Sequence, residues 1–518
     1  MTKKKLPIGI QTFRKIREEN CYYVDKTGFA CRMVEEGSHY FLSRPRRFGK
    51  SLFLDTLKEL FEGNRELFLG LEAEGRWDWS VRHPVLRFSF AGGVLGSVPD
   101  VRESLGQQLS RMEIKWNITA PVDEIRSRFQ NLIISAHTTT DQRVVVLIDE
   151  YDKPILDRIE DRVQALAIRE VLKDFYSVIK DNDAHVRFAF LTGVSKFSKA
   201  GIFSGLNNLN DITVDARYSA ICGYTETDLD VVFAPELPGL DREEIRRWYN
   251  GYNWLGEAVY NPFDVLLLFS KRQFGVYWFE TGTPTFLIKL LMERHSFVPA
   301  LANLQVDVGL LSAFDVEHIS TEALMWQTGY LTFGSSENLG GEIFYQLRYP
   351  NHEVYLSMHK SLAGALLGDV SKEANLRRSL WYVLKSQDTE IWQRHFISLF
   401  AAIPHDWHRK NEISRYEGYY ASVFYSHFAA LGLDIRLEDT TNLGRIDMTV
   451  LFDEAVFIFE FKVVEDSPEG RAMEQIRAKK YAEKYMALGQ PIHLIGIEFS
   501  RQTRCVTGFE VEHLGNNV

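Results

Sequence analysis

Three short stretches of this sequence combine residue types that could bind or cleave phosphate esters. The first is Ser43-Arg44-Pro45-Arg46-Arg47-Phe48-Gly49-Lys50-Ser51, a near match to the pattern GxxxxGK[ST]. Where such a loop follows a strand and opens a helix, backbone N–H groups face the phosphates and the helix dipole adds favourable charge. On this reading Arg47, Phe48, Gly49, Lys50, Ser51 and Leu52 cradle ATP. The Lys50 ammonium would reach the β- and γ-phosphates, and the Ser51 hydroxyl would complete a magnesium shell. Two residues depart from the pattern: Arg44 stands in place of the first glycine, and Pro45 has no N–H to offer. The plain alternative is a surface loop with a solvated lysine.

The second stretch, Val144–Glu150, is an apolar run ending in two carboxylates. An acid at the end of a buried parallel strand lies where such sheets present ligands. Asp149 would hold the magnesium, directly or through water, and Glu150 would polarise the attacking water. Asp152 is close by and receives no role. Arg187–Thr192 reads as the next strand, with Thr192 placed to sense the γ-phosphate and Ser195 as second choice.

The third lies near the C-terminus. Asp447 opens one strand of a hairpin, and Glu460-Phe461-Lys462 ends the other. Residues two apart share a strand face, so Glu460 and Lys462 lie together while Phe457, Phe459 and Phe461 point to a core. Asp447 and Glu460 would hold Mg²⁺ or Mn²⁺, which polarises a phosphodiester and lowers the pKa of a bound water. Lys462 would position that water or stabilise developing charge, and Glu417 on the preceding helix would complete the metal's outer shell. Gln475, Lys479 and Tyr481 follow on a helix read over Glu469–Leu488. There they would support the site, touch a nucleic-acid backbone, or only form a solvated face.

Elements must place these groups. Tyr40–Ser43, Val85–Phe90, Val144–Ile148 and Arg187–Thr192 read as buried strands, and Leu52–Phe61 and Arg169–Ile179 as helices between them. Such alternation implies a parallel α/β sheet covered on both faces. From about Thr225 to Leu339 the pattern is mostly helical, as a lid or winged-helix region would be, and 340–375 reads as a junction broken at Pro350-Asn351. A second α/β unit follows. Its helix over Glu417–Leu431 carries the stripe Tyr420, Phe424, Phe428, Leu431 and ends at Gly432. Strands then run over Asp434–Leu437, Arg445–Phe452 and Ala455–Lys462, with Asp453-Glu454 as the tight turn, and over Ile492–Phe499 and Val506–Val511.

Composition sets the bounds. With 518 residues the chain exceeds one hydrophobic core, and 45% hydrophobic with 25% charged residues is ordinary for a globular protein. No apolar run nears the roughly 20 residues of a membrane helix, and no apolar segment follows Lys3-Lys4-Lys5, so a cytoplasmic protein without membrane association is expected. Four scattered cysteines form no CxxC pair. His405 and His408 alone do not make a metal site, since structural zinc needs four ligands. A net charge of −10 argues against nonspecific coating of nucleic acid but leaves room for a local basic groove.

The sequence resembles a two-part family, AAA-ATPase-like proteins fused to a C-terminal domain of the PD-(D/E)XK nuclease superfamily. The segments that carry the resemblance are YYVDKT from Tyr22, FLSRPRRFGKSLFLDTLKELFEG, LIDEYDKPI, LTGVSKFS, WYNGYNW, VYNPFDVL, YWFETGTPTFL, GRIDMTVL, FIFEFKV and QIRAKKYAEKY. In that family an RPRRFGKS-like loop is usual. The resemblance implies a P-loop ATPase core of the additional-strand type over 1–224, a helical or winged-helix-like lid over 225–345, a linker over 346–377, and a restriction-endonuclease-like α/β domain over 378–518. It also implies Asp447, Glu460 and Lys462 as catalytic residues. Gly282 and Pro284 resemble a Gly-x-Pro element of such lids, and Arg217, Arg246 and Arg247 are the candidates for an arginine finger. The function expected is ATP-regulated, metal-dependent cleavage of nucleic acid, DNA first, with homo-oligomers as one way ATP could act. The alternatives are a switch that grips nucleic acid without cutting it, and an ATP-driven translocase.

Overall fold

The computed structural model describes residues 3–118, 123–196, 202–203, 206, 208–281, 285–294, 298–307, 309, 311, 320–386, 388–402, 417–503 and 505–514. The chain divides into two compact units: Met1–Thr283 with Leu304–Asn351, and Pro284–Asn303 with His352–Val518.

The first unit is built on five strands, β1 (His39–Ser43), β2 (Val85–Ser89), β3 (Val144–Asp149), β4 (Val186–Gly193) and β5 (Asn210–Asp211). They pair in parallel in the order β2-β3-β4-β1-β5. Every residue of β1 and β3 is buried, the signature of strands covered on both faces. Because β4 lies between β1 and β3, the sheet has the additional-strand order. Its register pairs Ser43 with Gly193 and Thr192 with Asp149, so three strands end at one edge. The Lys50–Phe61 helix follows β1, and its apolar residues Phe53, Leu54, Leu57, Leu60 and Phe61 are buried. The helix read over Arg169–Ile179 starts earlier and runs Arg162–Asp181, with the Asp161 side chain accepting from Gln164 N.

Beyond the sheet come helices Glu226–Val232, Arg242–Tyr249, Pro262–Lys271 and Thr321–Thr328. A small antiparallel sheet accompanies them, of β6 (Gln305–Asp307), β7 (Thr332–Leu339) and β8 (Glu342–Arg348). The stretch 340–375, read as a junction, holds β8 and a helix, His352–Leu367, that begins just after Pro350-Asn351. That helix buries Glu353, Ser357 and His359 as well as its leucines, which erases the apolar stripe by which helices are recognised.

In the second unit, strands β9 (Asp434–Thr440), β10 (Arg445–Phe452), β11 (Ala455–Val464), β12 (Ile492–Ser500) and β13 (Val506–Leu514) form one mixed sheet in the order β13-β12-β11-β10-β9. Only β11 and β12 run parallel. The hairpin turns at Asp453 (φ +52) and Glu454 (φ +59), the paired left-handed residues of a two-residue turn matched to strand twist. Strand β11 is buried on both sides. Phe457, Phe459 and Phe461 join Tyr420, Phe424 and Phe428 of the Glu417–Ala429 helix in a large aromatic core, while Val456 and Ile458 enter a second core with Met473, Ile476 and Tyr481. The helix ends at Ala429, short of the expected Leu431, and a turn through Ala430 and Leu431 reaches Gly432 at φ +73. The single long helix expected over Glu469–Leu488 is broken. An α-helix, Arg471–Ala478, gives way at Lys480 (φ +49) to a 3-10 helix, Tyr481–Leu488, closed by Gly489.

Candidate functional sites

In the first unit, the chain leaves β1 at Ser43 and enters the Lys50 helix through a loop with two left-handed residues, Arg47 (φ +68) and Gly49 (φ +96). Glycine meets that geometry without strain, and Arg47 meets it at a cost of about 1 kcal/mol or more. Residues from Arg46 through Leu52 line a cavity of about 430 Å³, which Glu150 and Lys153 also line. That volume suits a small-molecule ligand. Lys50 is buried, and its Nζ donates to the carbonyl oxygens of Arg44 and Pro45 at 2.9 Å each. Burial pulls the Lys50 pKa down, and Asp149 is the strongest opposing charge.

Arg44 is not a phosphate ligand in this arrangement. Its side chain is fully buried, donates to the carbonyls of Ser43 and Thr213 at 2.9 Å and Tyr218 at 3.0 Å, and lies 4.0 Å from the Trp254 ring centroid. Burial lowers its pKa to about 10, which still leaves it charged. The residue that displaces the expected glycine is therefore a brace holding the loop to its surroundings. Phe48 is a second brace, its ring edge-on to Tyr252 at 4.6 Å and Trp254 at 5.6 Å. Trp278 Nε1 donates to Arg46 O at 2.9 Å, and Gly329 lies so close that a Cβ there would come 2.6 Å from Pro45. Arg44→Gly, which restores the general pattern, is expected to cost about 2–4 kcal/mol of stability, because three buried carbonyls lose a charged donor and a ring loses its cation. Denaturant unfolding of the variant checks this, and no gain in nucleotide affinity should accompany it.

At the sheet edge, Asp149 and Thr192 are paired neighbours. Asp149 Oδ1 and Thr192 Oγ1 are both buried and have no hydrogen-bond partner among the described residues. Buried acceptors and hydroxyls are nearly always satisfied, so two unpartnered ones side by side stand out. Glu150 sits in the left-handed region (φ +54), where a non-glycine residue is strained. Burial raises its pKa, Lys50 opposes the rise, and Asp149 and Asp152 add to it. Asp152, given no role from sequence, fastens the turn after β4. It accepts from Val194 N at 3.0 Å and from Ser195 N and Oγ at 2.6 Å each. The Ser195 hydroxyl is thus committed, which leaves Thr192 as the better-placed of the two. A Cβ on Gly193 would fall 2.4 Å from Asp152 Oδ1, so this position admits only glycine without a shift.

The three candidate arginines are engaged elsewhere. Arg217 pairs with Asp215 and Glu36, Arg246 with Glu226 and Glu243, and Arg247 with Glu244. Gly282, Pro284, His405 and His408 lie outside the described residues.

In the second unit, β10 and β11 bring Asp447, Glu460 and Lys462 together. Asp447 Oδ2 accepts the Phe461 N–H at 2.8 Å, and Lys462 Nζ donates to Glu460 Oε1 at 3.1 Å. Glu460 is fully buried, and its Oε2 has no partner among the described residues. Burial pushes the Glu460 carboxyl up to about 8, Asp447 adds to the rise, and Lys462 opposes it. Gln475 Nε2 also donates to Glu460 Oε1 and lies 3.1 Å from the Tyr481 hydroxyl, which in turn donates to Arg445 O at 2.5 Å. Gln475 and Tyr481 therefore touch the site, whereas Lys479, at the end of the α-helix, is exposed. Glu498, unremarked in the sequence, receives the N–H groups of Glu469, Gly470 and Ala472 and so anchors the helix that carries Gln475. The Glu417 side chain lies outside the described residues. Among the described residues, no three His, Cys, Asp or Glu side chains converge as a metal cluster, so Asp447 and Glu460 stand as a pair.

Comparison with known proteins finds one family model for each unit. The model of the AAA-ATPase-like family, described as Predicted AAA-ATPase, matches residues 7–203, and that of the PD-(D/E)XK nuclease superfamily matches residues 415–508. An uncharacterized protein in the vnfD 5′ region of Azotobacter chroococcum mcd 1 is 61% identical over 516 residues, covering 99% of this chain and 100% of that protein. No solved structure matches the chain. Among the described residues, no helix is long and apolar enough to cross a membrane. The chain belongs to the AAA-ATPase-like family, with an N-terminal AAA-ATPase-like domain fused to a C-terminal domain of the PD-(D/E)XK nuclease superfamily.

Proposed function

We propose that the protein is a metal-dependent nuclease acting on DNA, whose cleavage is controlled by ATP bound at the Arg47–Leu52 loop. One observation carries the reading: each site leaves a deeply buried carboxylate oxygen unpartnered among the described residues, Asp149 Oδ1 in the first and Glu460 Oε2 in the second. An isolated buried carboxylate is costly, and a divalent cation is a natural counter-charge. Ser51 and Asp149 would hold magnesium with ATP. Asp447 and Glu460, with Glu417 in the outer shell, would hold Mg²⁺ or Mn²⁺ at the second site, where the ion would supply Lewis-acid polarisation.

The protein's own groups do the rest. Lys50 would leave the Arg44 and Pro45 carbonyls for the phosphates, Thr192 would report the terminal phosphate, and Glu150, its pKa already raised, would take a proton from water. Lys462 would turn from Glu460 toward the scissile phosphate once Glu460 has a second counter-charge. A domain that only grips a polyanion gains nothing from two converging carboxylates, which favours cleavage over binding alone. The deciding experiment measures DNA cleavage with Mg²⁺ or Mn²⁺, with and without ATP, in wild type and Lys50→Ala. Absence of cleavage under every metal, with binding retained, would reject the nuclease reading.

The raised Glu460 pKa gives a second expected result. A carboxyl whose folded pKa lies above its unfolded value stabilises the metal-free fold below about pH 4.5, and that contribution is lost as pH rises toward 8. A cation needs the ionised form, so Mn²⁺ affinity should tighten by close to tenfold per pH unit up to about pH 8 and level off above it. Calorimetric titration between pH 6 and 9 measures this, and Glu460→Gln should abolish the dependence.

A further inference from the structure

In the second unit a helix not yet described, Val370–Ser386, sends Leu380, Val383 and Leu384 into the aromatic core on the phenylalanine side of β11. Residues of β11 alternate, so Glu460, which meets Gln475, lies on the other side of that strand with Val456 and Ile458. The helix therefore stands behind the proposed cleavage site, and its solvent face takes no part in the chemistry there.

That face combines rings with cations. Trp381 is 39% exposed and Tyr382 60% exposed, and Arg378 and Lys385 are exposed beside them. At about 100° per residue, Arg378, Tyr382 and Lys385 fall within one stripe along the helix, with Trp381 at its edge. The helix has a single acid, Glu373, which is buried and accepts from Arg377 Nε at 2.8 Å, so no carboxylate of this helix shares the stripe. In a chain of net charge −10 the stripe is a local cationic surface. Trp381 is braced, with Phe452 edge-on at 4.8 Å and Lys385 Nζ 5.4 Å from its ring centroid. Lys385 also pairs with Asp453 at 3.6 Å, a contact between exposed side chains that holds little energy and that a polyanion can displace. Arg378 and Tyr382 have no side-chain hydrogen bond, ion pair or ring contact among the described residues.

We infer that the solvent face of the Val370–Ser386 helix binds single-stranded nucleic acid, stacking bases on Tyr382 and Trp381 and pairing phosphates with Arg378 and Lys385. Exposed rings interleaved with cations, and free of acids, meet both halves of such a ligand: the phosphates take the cations and the unpaired bases take the ring faces. A duplex offers the same phosphates but keeps its bases stacked on one another, and an acidic peptide matches the cations without using the ring planes. This contact grips a strand on the side of the sheet away from Glu460, and it does not depend on cleavage.

Fluorescence anisotropy of the full-length protein with a labelled oligothymidylate, in EDTA and without added metal, tests this. Wild type should bind the single strand, and Tyr382→Ala should weaken that binding by about tenfold, the worth of one base stacked on one ring. Tyr382→Phe keeps the ring and should bind within about twofold of wild type. Tyr382→Ala should change binding of a labelled duplex by less than about twofold. Arg378→Ala combined with Lys385→Ala should make the slope of log affinity against log salt shallower by about 1.4, since each phosphate contact to a single strand contributes about 0.7. The substituted side chains are exposed, so each variant should unfold as wild type does, and Trp381, which packs on Phe452, is left in place. Absence of single-strand binding by wild type, unchanged affinity in Tyr382→Ala, or an unchanged slope in the double variant overturns the proposal and leaves the face to a protein partner. Equal losses in Tyr382→Phe and Tyr382→Ala overturn stacking. With no metal present, failure of the nuclease reading leaves these outcomes as they are.

Discussion

Lys50→Ala is expected to lower ATP affinity by about 10²–10³-fold, since two charge-assisted contacts to phosphate are each worth about 1.5–3 kcal/mol. The surroundings of Lys50 sharpen the expectation. Its ammonium is already desolvated and is held by two backbone carbonyls. Exchange of those neutral acceptors for phosphate oxygens therefore gains Coulomb energy without a fresh desolvation cost. The substitution also strips the cation from beside Asp149, Glu150 and Asp152, so the Glu150 carboxyl should rise further above its ordinary range. Calorimetry or a fluorescent ATP analogue gives the affinity. Binding within about threefold of wild type would remove the Arg47–Leu52 loop as the nucleotide site. Under the regulatory reading the same variant retains an intact second site, so any DNA cleavage it shows should no longer respond to ATP.

The second large effect concerns the C-terminal site. Asp447→Asn keeps an oxygen able to accept the Phe461 N–H but removes the charge, so it should cut DNA at least about 10³-fold more slowly while unfolding as wild type does. Lys462→Ala should lose about 10²-fold or more, because it removes the cation facing Glu460 and leaves that buried acid with even less reason to ionise. Both variants should bind ATP normally. Wild-type cleavage by either one would sink the assignment of this constellation, and loss of ATP binding would mean that misfolding rather than chemistry was being read.

How far these sites could be read in the sequence depended on how local their causes are. The loop opening a helix, the acid at the end of β3, the Asp453-Glu454 turn and the alternation of phenylalanines with Glu460 and Lys462 follow from spacing alone, and the structure has each of them. What escaped depends on partners distant in the chain. Nothing near Arg44 announces that Thr213, Tyr218 and Trp254 will enclose it, so the sequence showed only a departure from the pattern and not its purpose. Asp152 is locked by Val194 and Ser195, and the segment before the first helix by Cys21 and Asp55, contacts with no periodic trace. The break at Lys480 was hidden because lysine is an ordinary helix residue. It is Tyr481, drawn to Arg445 O and the small core, that lies just past the point where the helix ends. The His352–Leu367 helix was obscured by the opposite effect, polar residues buried where a stripe should show.

The two-residue turn between β10 and β11 has a bearing on what lineages of this protein can tolerate. The chain reverses at Asp453-Glu454, and the register that follows sends phenylalanines to one core and Val456, Ile458 and the acid of the second site to the other face. A one-residue insertion or deletion that shifts the register of β11 would exchange the faces of every later residue, thrusting Glu460 and Lys462 among the aromatics and the phenylalanines onto the face of Val456 and Ile458. Point substitutions at the turn can be absorbed where asparagine or glycine is offered. Length changes that shift the register between two buried faces cannot. In descendants of this chain, length polymorphism should therefore collect in exposed connections such as Gly340-Gly341 between β7 and β8, and leave the β10–β11 turn at two residues.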